Sequence, residues 1–284
     1  MKLSDINIRD PFILKENDTY YLYGTRAKDF GKNVGGFDVY TSKDLAEWSN
    51  PITCFDSEKN GLNRQVNWAP EVHKYKGSYY MFATFTREND LRGVFILKSN
   101  TPQGPFELYT KTAVTPQDWE CLDGTLYVDK NGTPYLVFCH EHTQIIDGTV
   151  CYVQLSDDLT KAVSHPVELF AGSSPYWADV KPEGEHYITD GPFMYTTTKG
   201  ELLLIWSTFI NHKYAQCVAK SDNGNIDGTF IHLPPIITND GGHGMIFKAG
   251  DKLMLTFHTP NQTGFERPTF RELLDVGDSI IVKD

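Results

Sequence analysis

The sequence predicts an all-β fold, a five-bladed β-propeller with four-stranded antiparallel blades around a central channel. The first observation behind this is a hairpin outline: an apolar strand, a tight polar turn, then a second strand rich in aromatic and aliphatic residues. The second is its recurrence. Pro11, Pro70, Thr125, Pro192 and Met245 occupy matching places in five copies, with gaps of 59, 55, 67 and 53 residues. The third is the lack of helical periodicity between the copies, which points to a radial repeat.

The paired strands of the copies, in order, fall at residues 10–14 and 20–23, 70–73 and 79–82, 123–128 and 134–138, 190–195 and 202–206, and 243–247 and 253–257. Third strands are expected at 35–42, 93–99, 150–155 and 214–221, and short outer segments at 48–52, 106–108 and 230–233. Four strands per unit make a propeller blade. The longest departure, residues 170–185, mixes small residues, Pro and two large rings, and reads as a helical turn or a loop over one rim. Residues 144–148 read as a second rim loop. Residues 270–274 and 280–282 are short apolar strands, and one of them is expected to complete a blade with N-terminal residues, removing an exposed edge. The repeats run from end to end, so residues 1–284 form one domain.

Composition excludes several classes of function. The formal net charge of −11 repels phosphate backbones, so nucleic acid is not an expected partner. No apolar run approaches the ~20 residues of a membrane-spanning helix, so no membrane association is expected. The first seven residues carry no apolar signal core, and five Cys without C-x-x-C spacing read as reduced thiols. Together these suggest a cytoplasmic protein. Nothing in the sequence specifies an oligomeric state. Aromatic residues make up 13% of the chain, mostly for packing, with some rings available to stack on sugars.

Innermost strands of a propeller line the channel, so equivalent positions at their starts converge at one end of it. Those positions, or the residues just before them, are Asp10, Ala69, Asp123, Asp190 and His243. Three carboxylates and an imidazole around one axis repel or perturb one another unless a ligand or reaction uses them. Each Asp could instead cap a turn. Two carboxylates flanking an open pocket suit glycosidic cleavage, one as acid and one as base, and a third can hold the acid's pKa up.

These residues lie in Arg9-Asp10-Pro11, Trp68-Ala69-Pro70-Glu71-Val72, Leu122-Asp123-Gly124, Asp190-Gly191-Pro192 and Gly242-His243-Gly244. The set resembles, in order and over essentially the whole chain, the motifs of glycoside hydrolase family 43. The resemblance implies a five-bladed propeller that hydrolyses α-L-arabinofuranosides, β-D-xylosides or related sugars with inversion. It implies Asp10 as general base, Asp123 as the residue that tunes and orients the acid, and Asp190 as general acid. It also implies that His243 sits on the axis, where a calcium or sodium ion is often held through water. No cofactor is expected for the chemistry itself.

One motif departs from the family's pattern: Asp190 stands where Glu is usual, one methylene shorter. Glu141, at the end of a strand, is the alternative donor. Trp68 is a candidate sugar-stacking wall or a blade-packing ring. Arg267 is a candidate substrate contact or a surface ion pair. The expected substrate is a short oligosaccharide, cleaved at its terminal pentosyl or furanosyl residue. Two alternatives stay open: a sugar-binding propeller without catalysis, and a retaining hydrolase of the fructan and sucrose type. The latter shares Arg-Asp-Pro and a Glu-Cys pair like Glu120-Cys121, but lacks here its Asn-Asp-Pro-Asn-Gly nucleophile motif.

Overall fold

The structure is a computed structural model, and it describes residues 1–32, 35–62 and 66–283. Five four-stranded sheets follow one another along the chain. Blade one holds β1 (Ile8–Glu16), β2 (Thr19–Arg26), β3 (Phe37–Ser42) and β4 (Ile52–Phe55). Blade two holds β5 (Asn67–Tyr75), β6 (Ser78–Thr86), β7 (Arg92–Ser99) and β8 (Glu107–Leu108). Blade three holds β9 (Cys121–Val128), β10 (Pro134–His140), β11 (Thr149–Gln154) and β12 (Val167–Ala171). Blade four holds β13 (Asp190–Thr196), β14 (Leu202–Ile210), β15 (Lys213–Ser221) and β16 (Phe230–Ile237). Blade five holds β17 (Gly242–Ala249), β18 (Lys252–Thr259), β19 (Arg267–Asp275) and β20 (Ile280–Val282). A single helical turn, α1 (His142–Ile145), follows β10.

Local chemistry sets the hairpins. Two-residue loops join β1 to β2, β5 to β6, β14 to β15 and β17 to β18. Their first residues, Asn17, Lys76, Asn211 and Gly250, all take positive φ, the geometry whose twist matches that of the flanking strands. Apolar side chains then fill the spaces between neighbouring blades. Phe82 and Val94 of blade two meet Leu136 and Phe138 of blade three. Val137 and Val150 meet Leu204 and Trp206 of blade four. Leu203 and Ile205 meet Leu255 and Phe257 of blade five.

The ring closes differently from the expectation. Both C-terminal strands, β19 and β20, belong to blade five, and blade one is built wholly from N-terminal residues. Among the described residues, no strand is exchanged between the first and last blades. Closure comes from packing and hydrogen bonds across the last seam. Met245 and Phe247 share a core with Phe12 and Tyr20. The Asn7 side-chain amide donates to the carbonyls of Gly264 and Glu266. Of the expected rim loop at 170–185, residues 170 and 171 end β12, and the remainder lies outside regular strands.

Candidate active site

Each innermost strand carries the same kink. Asp10, Ala69, Asp123, Gly191 and His243 have φ between 46° and 57°, and the pairing of each innermost strand with its neighbour shifts there. Such bulges re-aim side chains at the rim of a sheet. Four of the five positions are those predicted. In blade four the kinked residue is Gly191, so Asp190 stands one place earlier than its counterparts. A Cβ on Gly191 would lie 2.6 Å from Cδ2 of His243, which is why glycine occupies the kink there.

A ring of hydrogen bonds fixes the kinks. Each kinked amide donates to a side chain of the preceding blade. The Ala69 N–H donates to Thr25 Oγ1 (2.7 Å), Asp123 N–H to Thr84 Oγ1 (3.0 Å) and His243 N–H to Ser207 Oγ (2.7 Å). The Asp10 N–H donates to His258 Nδ1 (3.2 Å), which carries the pattern across the closure. The place equivalent to Thr25 in blade three holds Cys139, opposite Leu122. A thiol is a weak acceptor, and the Gly191 N–H instead reaches Asp123 Oδ2 at 3.0 Å.

The kinks bring Asp10, Asp123, Asp190 and His243 to the floor of one cavity of about 570 Å³. His243 Nδ1 lies 3.2 Å from Asp10 Oδ1 and 3.7 Å from Asp123 Oδ2. Asp10 Oδ1 also meets Arg9 Nε at 3.3 Å, and Asp10 Oδ2 accepts from Thr25 Oγ1 at 2.7 Å. Burial opposes ionisation of Asp10. His243, Arg9, His258 and the Thr25 hydroxyl outweigh it and hold the carboxyl well below the usual carboxylate range. Asp123 and Asp190 are pushed the other way. Burial raises both, against the pull of His243. The nearby Asp190 and Asp10 carboxylates raise Asp123 further. Burial works against the His243 imidazolium, and the Asp10, Asp123 and Asp190 carboxylates more than restore it.

Trp68 is on the cavity wall, within a stack of alternating charge and ring. The Arg9 guanidinium lies 4.1 Å from the Phe30 ring centre, Phe30 stacks on Trp68 at 4.8 Å, and the Arg92 guanidinium lies 5.3 Å from Trp68. Glu141 is also brought to the cavity, but both its oxygens are engaged. Arg92 holds Oε2 at 2.7 Å and His142 Nε2 lies 3.0 Å from Oε1. Burial, opposed by Arg92 and assisted by Asp190, pushes Glu141 up to about 7. Arg92 also pairs with Glu120.

Arg267 does not reach the cavity. Its guanidinium donates to the backbone carbonyls of Ser4, Phe265 and Glu266, tying the N-terminal segment to the last loop. Arg9 is the arginine beside the clustered carboxylates, at 3.3 Å from Asp10 Oδ1. Reading the sequence also passed over Phe30, Arg92, Tyr214 and His258. None of these four left a signal in the sequence, whereas Arg9 stood next to Asp10 in the first motif. Among the described residues, no three His, Cys, Asp or Glu side chains are arranged to hold a metal ion.

One carboxyl kept ionised and another kept towards its protonated form, in one cavity, is the arrangement acid–base hydrolysis requires. Comparison with known proteins agrees in family. Residues 4–274 match the model of glycosyl hydrolases family 43. The structure of an endo-arabinase from Bacteroides thetaiotaomicron VPI-5482 superposes with a TM-score of 0.89 at 36% identity, covering 96% of each chain. The extracellular exo-α-(1→5)-L-arabinofuranosidase ArbA of Cellvibrio japonicus is 25% identical over 171 residues, 55% of this chain and 46% of that protein. An extracellular endo-α-(1→5)-L-arabinanase of Bacillus subtilis is 23% identical over 141 residues, 46% of this chain and 42% of that protein. The matches thus span less than half the length of these two curated relatives. The family match reaches nearly end to end and sets aside the fructan and sucrose hydrolase alternative: the chain belongs to glycosyl hydrolases family 43.

Proposed function

We propose that the protein hydrolyses pentosyl glycosidic bonds with inversion, acting on α-L-arabinofuranosyl linkages in preference to β-D-xylosyl ones. The observation that carries this is the split within one cavity: Asp10 is stabilised as the carboxylate, while burial favours the protonated form of Asp190. Asp10 takes a proton from water as the water attacks the anomeric carbon. The bond to the leaving oxygen breaks, and Asp190 gives its proton to that oxygen. Asp123, held by the Gly191 N–H, places a second carboxyl beside Asp190, whose charge pushes Asp123 towards its protonated form. Inversion calls for Asp10 and Asp190 carboxyls about 6.5–9.5 Å apart, leaving room for the water.

Asp190 is preferred to Glu141 as donor because Glu141 is held at both oxygens by Arg92 and His142. The Phe30–Trp68 face is proposed to pack against a sugar ring. The preference for arabinofuranosyl bonds is supported by the names of the relatives, an exo-α-(1→5)-L-arabinofuranosidase and an endo-α-(1→5)-L-arabinanase. Attack at chain ends is proposed, supported by the cavity walls contributed by His142, Thr143, Lys181 and Pro182. A cation beside His243 is proposed to be met through water on the Nε2 side of the ring, since Asp10 and Asp123 already face Nδ1. The proposed chemistry passes through no cation.

The test is a panel of aryl α-L-arabinofuranosides and β-D-xylosides with wild type and Asp10→Asn, with the first-formed anomer followed by NMR. Wild type should release the inverted sugar, and Asp10→Asn should lose about 10²–10⁴ in rate. Unchanged turnover in the variant would reject the reading. Binding without turnover in wild type would favour a sugar-binding propeller. A linear arabinohexaose should be shortened one pentose at a time, and early release of di- and trisaccharides would overturn terminal attack.

A further inference from the structure

We infer that Tyr214 is a positioning residue for the general acid: its phenol fixes one oxygen of Asp190 and stabilises the carboxylate left when the proton departs. The inference rests on the assignment of Asp190 as that acid. Tyr214 is buried, and its hydroxyl donates to Asp190 Oδ2 at 2.9 Å. The phenol has little freedom to point elsewhere. Tyr214 directly follows the first residue of β15, after the tight Asn211-His212 turn. Its ring stacks on His258, with centroids 5.5 Å apart and planes 21° apart. Its edge lies against Gly242, where a Cβ would come 2.7 Å from Cε1. Its carbonyl accepts the Gly241 N–H at 2.9 Å, and Phe209 packs against the ring at 5.5 Å.

An aspartate has two equivalent oxygens on a short stem, and a donor must present one of them within about 2.6–3.2 Å of the leaving oxygen. With Oδ2 held by Tyr214, Oδ1 is the oxygen left to carry the proton. In the reaction the Oδ1–H bond breaks, the proton joins the leaving oxygen as the glycosidic bond breaks, and Asp190 becomes a carboxylate. Water supplies the hydroxyl to the anomeric carbon and its proton to Asp10, so one bond is hydrolysed by one water. A hydroxyl donates more strongly to a carboxylate than to a neutral acid. The Tyr214 bond therefore tightens as the proton leaves, in the transition state rather than the ground state.

The phenol should matter only where the leaving group needs a proton. Tyr214→Phe keeps the ring on His258 and removes the hydroxyl. Its kcat/KM is measured on two α-L-arabinofuranosides, one with a dinitrophenyl and one with an alkyl leaving group, or on the matching xylosides if those are preferred. The variant should lose about 10- to 100-fold more on the alkyl than on the dinitrophenyl substrate. Equal losses, or none, overturn the inference, because a ring that only packs does not distinguish leaving groups. Asp190→Asn measured beside it separates the two claims. If Asp190→Asn shows the leaving-group split and Tyr214→Phe does not, the inference alone falls. If Asp190→Asn shows no split, the assignment of the acid falls with it. Fluorotyrosine at position 214 is the second route, should Tyr214→Phe fold poorly. A stronger donor of the same shape should raise alkyl turnover relative to dinitrophenyl, and no change counts against the inference.

Discussion

Tyr214 stacks on His258, and the two rings hold two different aspartates of the cavity. Tyr214 donates to Asp190, while His258 Nδ1 accepts the backbone N–H of Asp10. Because Nδ1 accepts, the proton of this imidazole is on Nε2, which faces Asn261 Oδ1 at 3.2 Å. The proposed base therefore depends on a ring from the far end of the chain, 248 residues away.

His258→Phe preserves the stack and removes the acceptor. The buried Asp10 N–H would then be unpaired, at a cost of about 1–3 kcal/mol. The expected result is a lower melting temperature and a fall in kcat larger than any change in KM, since the kink that aims Asp10 is loosened. His258→Asn, whose side-chain oxygen can take the place of Nδ1, should recover part of both. A His258→Phe variant that behaves as wild type beside a damaged His258→Asn would mean that the ring, and not the acceptor, is what matters.

Thr25 is the corresponding link between blades one and two. Its hydroxyl donates to Asp10 Oδ2 and accepts the Ala69 N–H. Thr25→Val removes both. Losing a donor to the ionised form lets the pKa of Asp10 rise, so the acidic limb of the kcat/KM profile should move to higher pH. An unmoved limb, read from wild type and variant under the same conditions, would show that Asp10 is not the group titrating there.

Much of this was legible in the sequence, for physical reasons that also explain the remainder. Asp10, Asp123 and His243 were legible because a kink recurring in five hairpins fixes its own neighbours. Asp190 was legible as a residue but not in register, because the spacing could not show that Gly191, crowded by His243, takes the kink. Tyr214 and His258 were illegible: each looks like an ordinary strand residue, and only closure of the ring gives it a partner. Arg267 was misleading because an arginine after the last repeat can reach many places, and backbone carbonyls of the N-terminal segment and last loop hold it. The closing strand failed similarly. Apolar pattern marks β19 and β20 as strands but does not say which blade they join.

Gly191→Ala tests the register directly. The residue sits at φ 51°, and the new Cβ would meet the His243 ring at 2.6 Å. Left-handed strain adds about 1 kcal/mol and the overpacked contact typically about 1–3 kcal/mol more. The protein should fold with a lower melting temperature and lose most of its turnover, because His243 and the amide that holds Asp123 both shift. Wild-type stability and activity in this variant would mean that the kink is not under the constraint described.

Acid should destabilise the protein through histidines that are neutral when folded. Burial, with Arg9 nearby, pushes His258 down to about 3 from the ordinary 6.5, and burial alone pushes His232 down to about 4. His232 is caged by Phe170, Trp177 and Trp206, and neither ring nitrogen has a hydrogen-bond partner among the described residues. A ring whose folded value is depressed takes up its proton first in the unfolded chain. Its contribution is therefore intact above pH 6.5 and drains away as pH falls from there towards the folded value. Each such ring adds a slope of up to about 1.4 kcal/mol per pH unit within that window. His232→Phe places an apolar ring in an aromatic cage and removes one of these protons. Unfolding free energies measured between neutral pH and pH 4.5 should show a shallower decline in the variant than in wild type, with the gap widening as pH falls. Parallel curves would mean that His232 is protonated in the folded protein, against the cage that surrounds it.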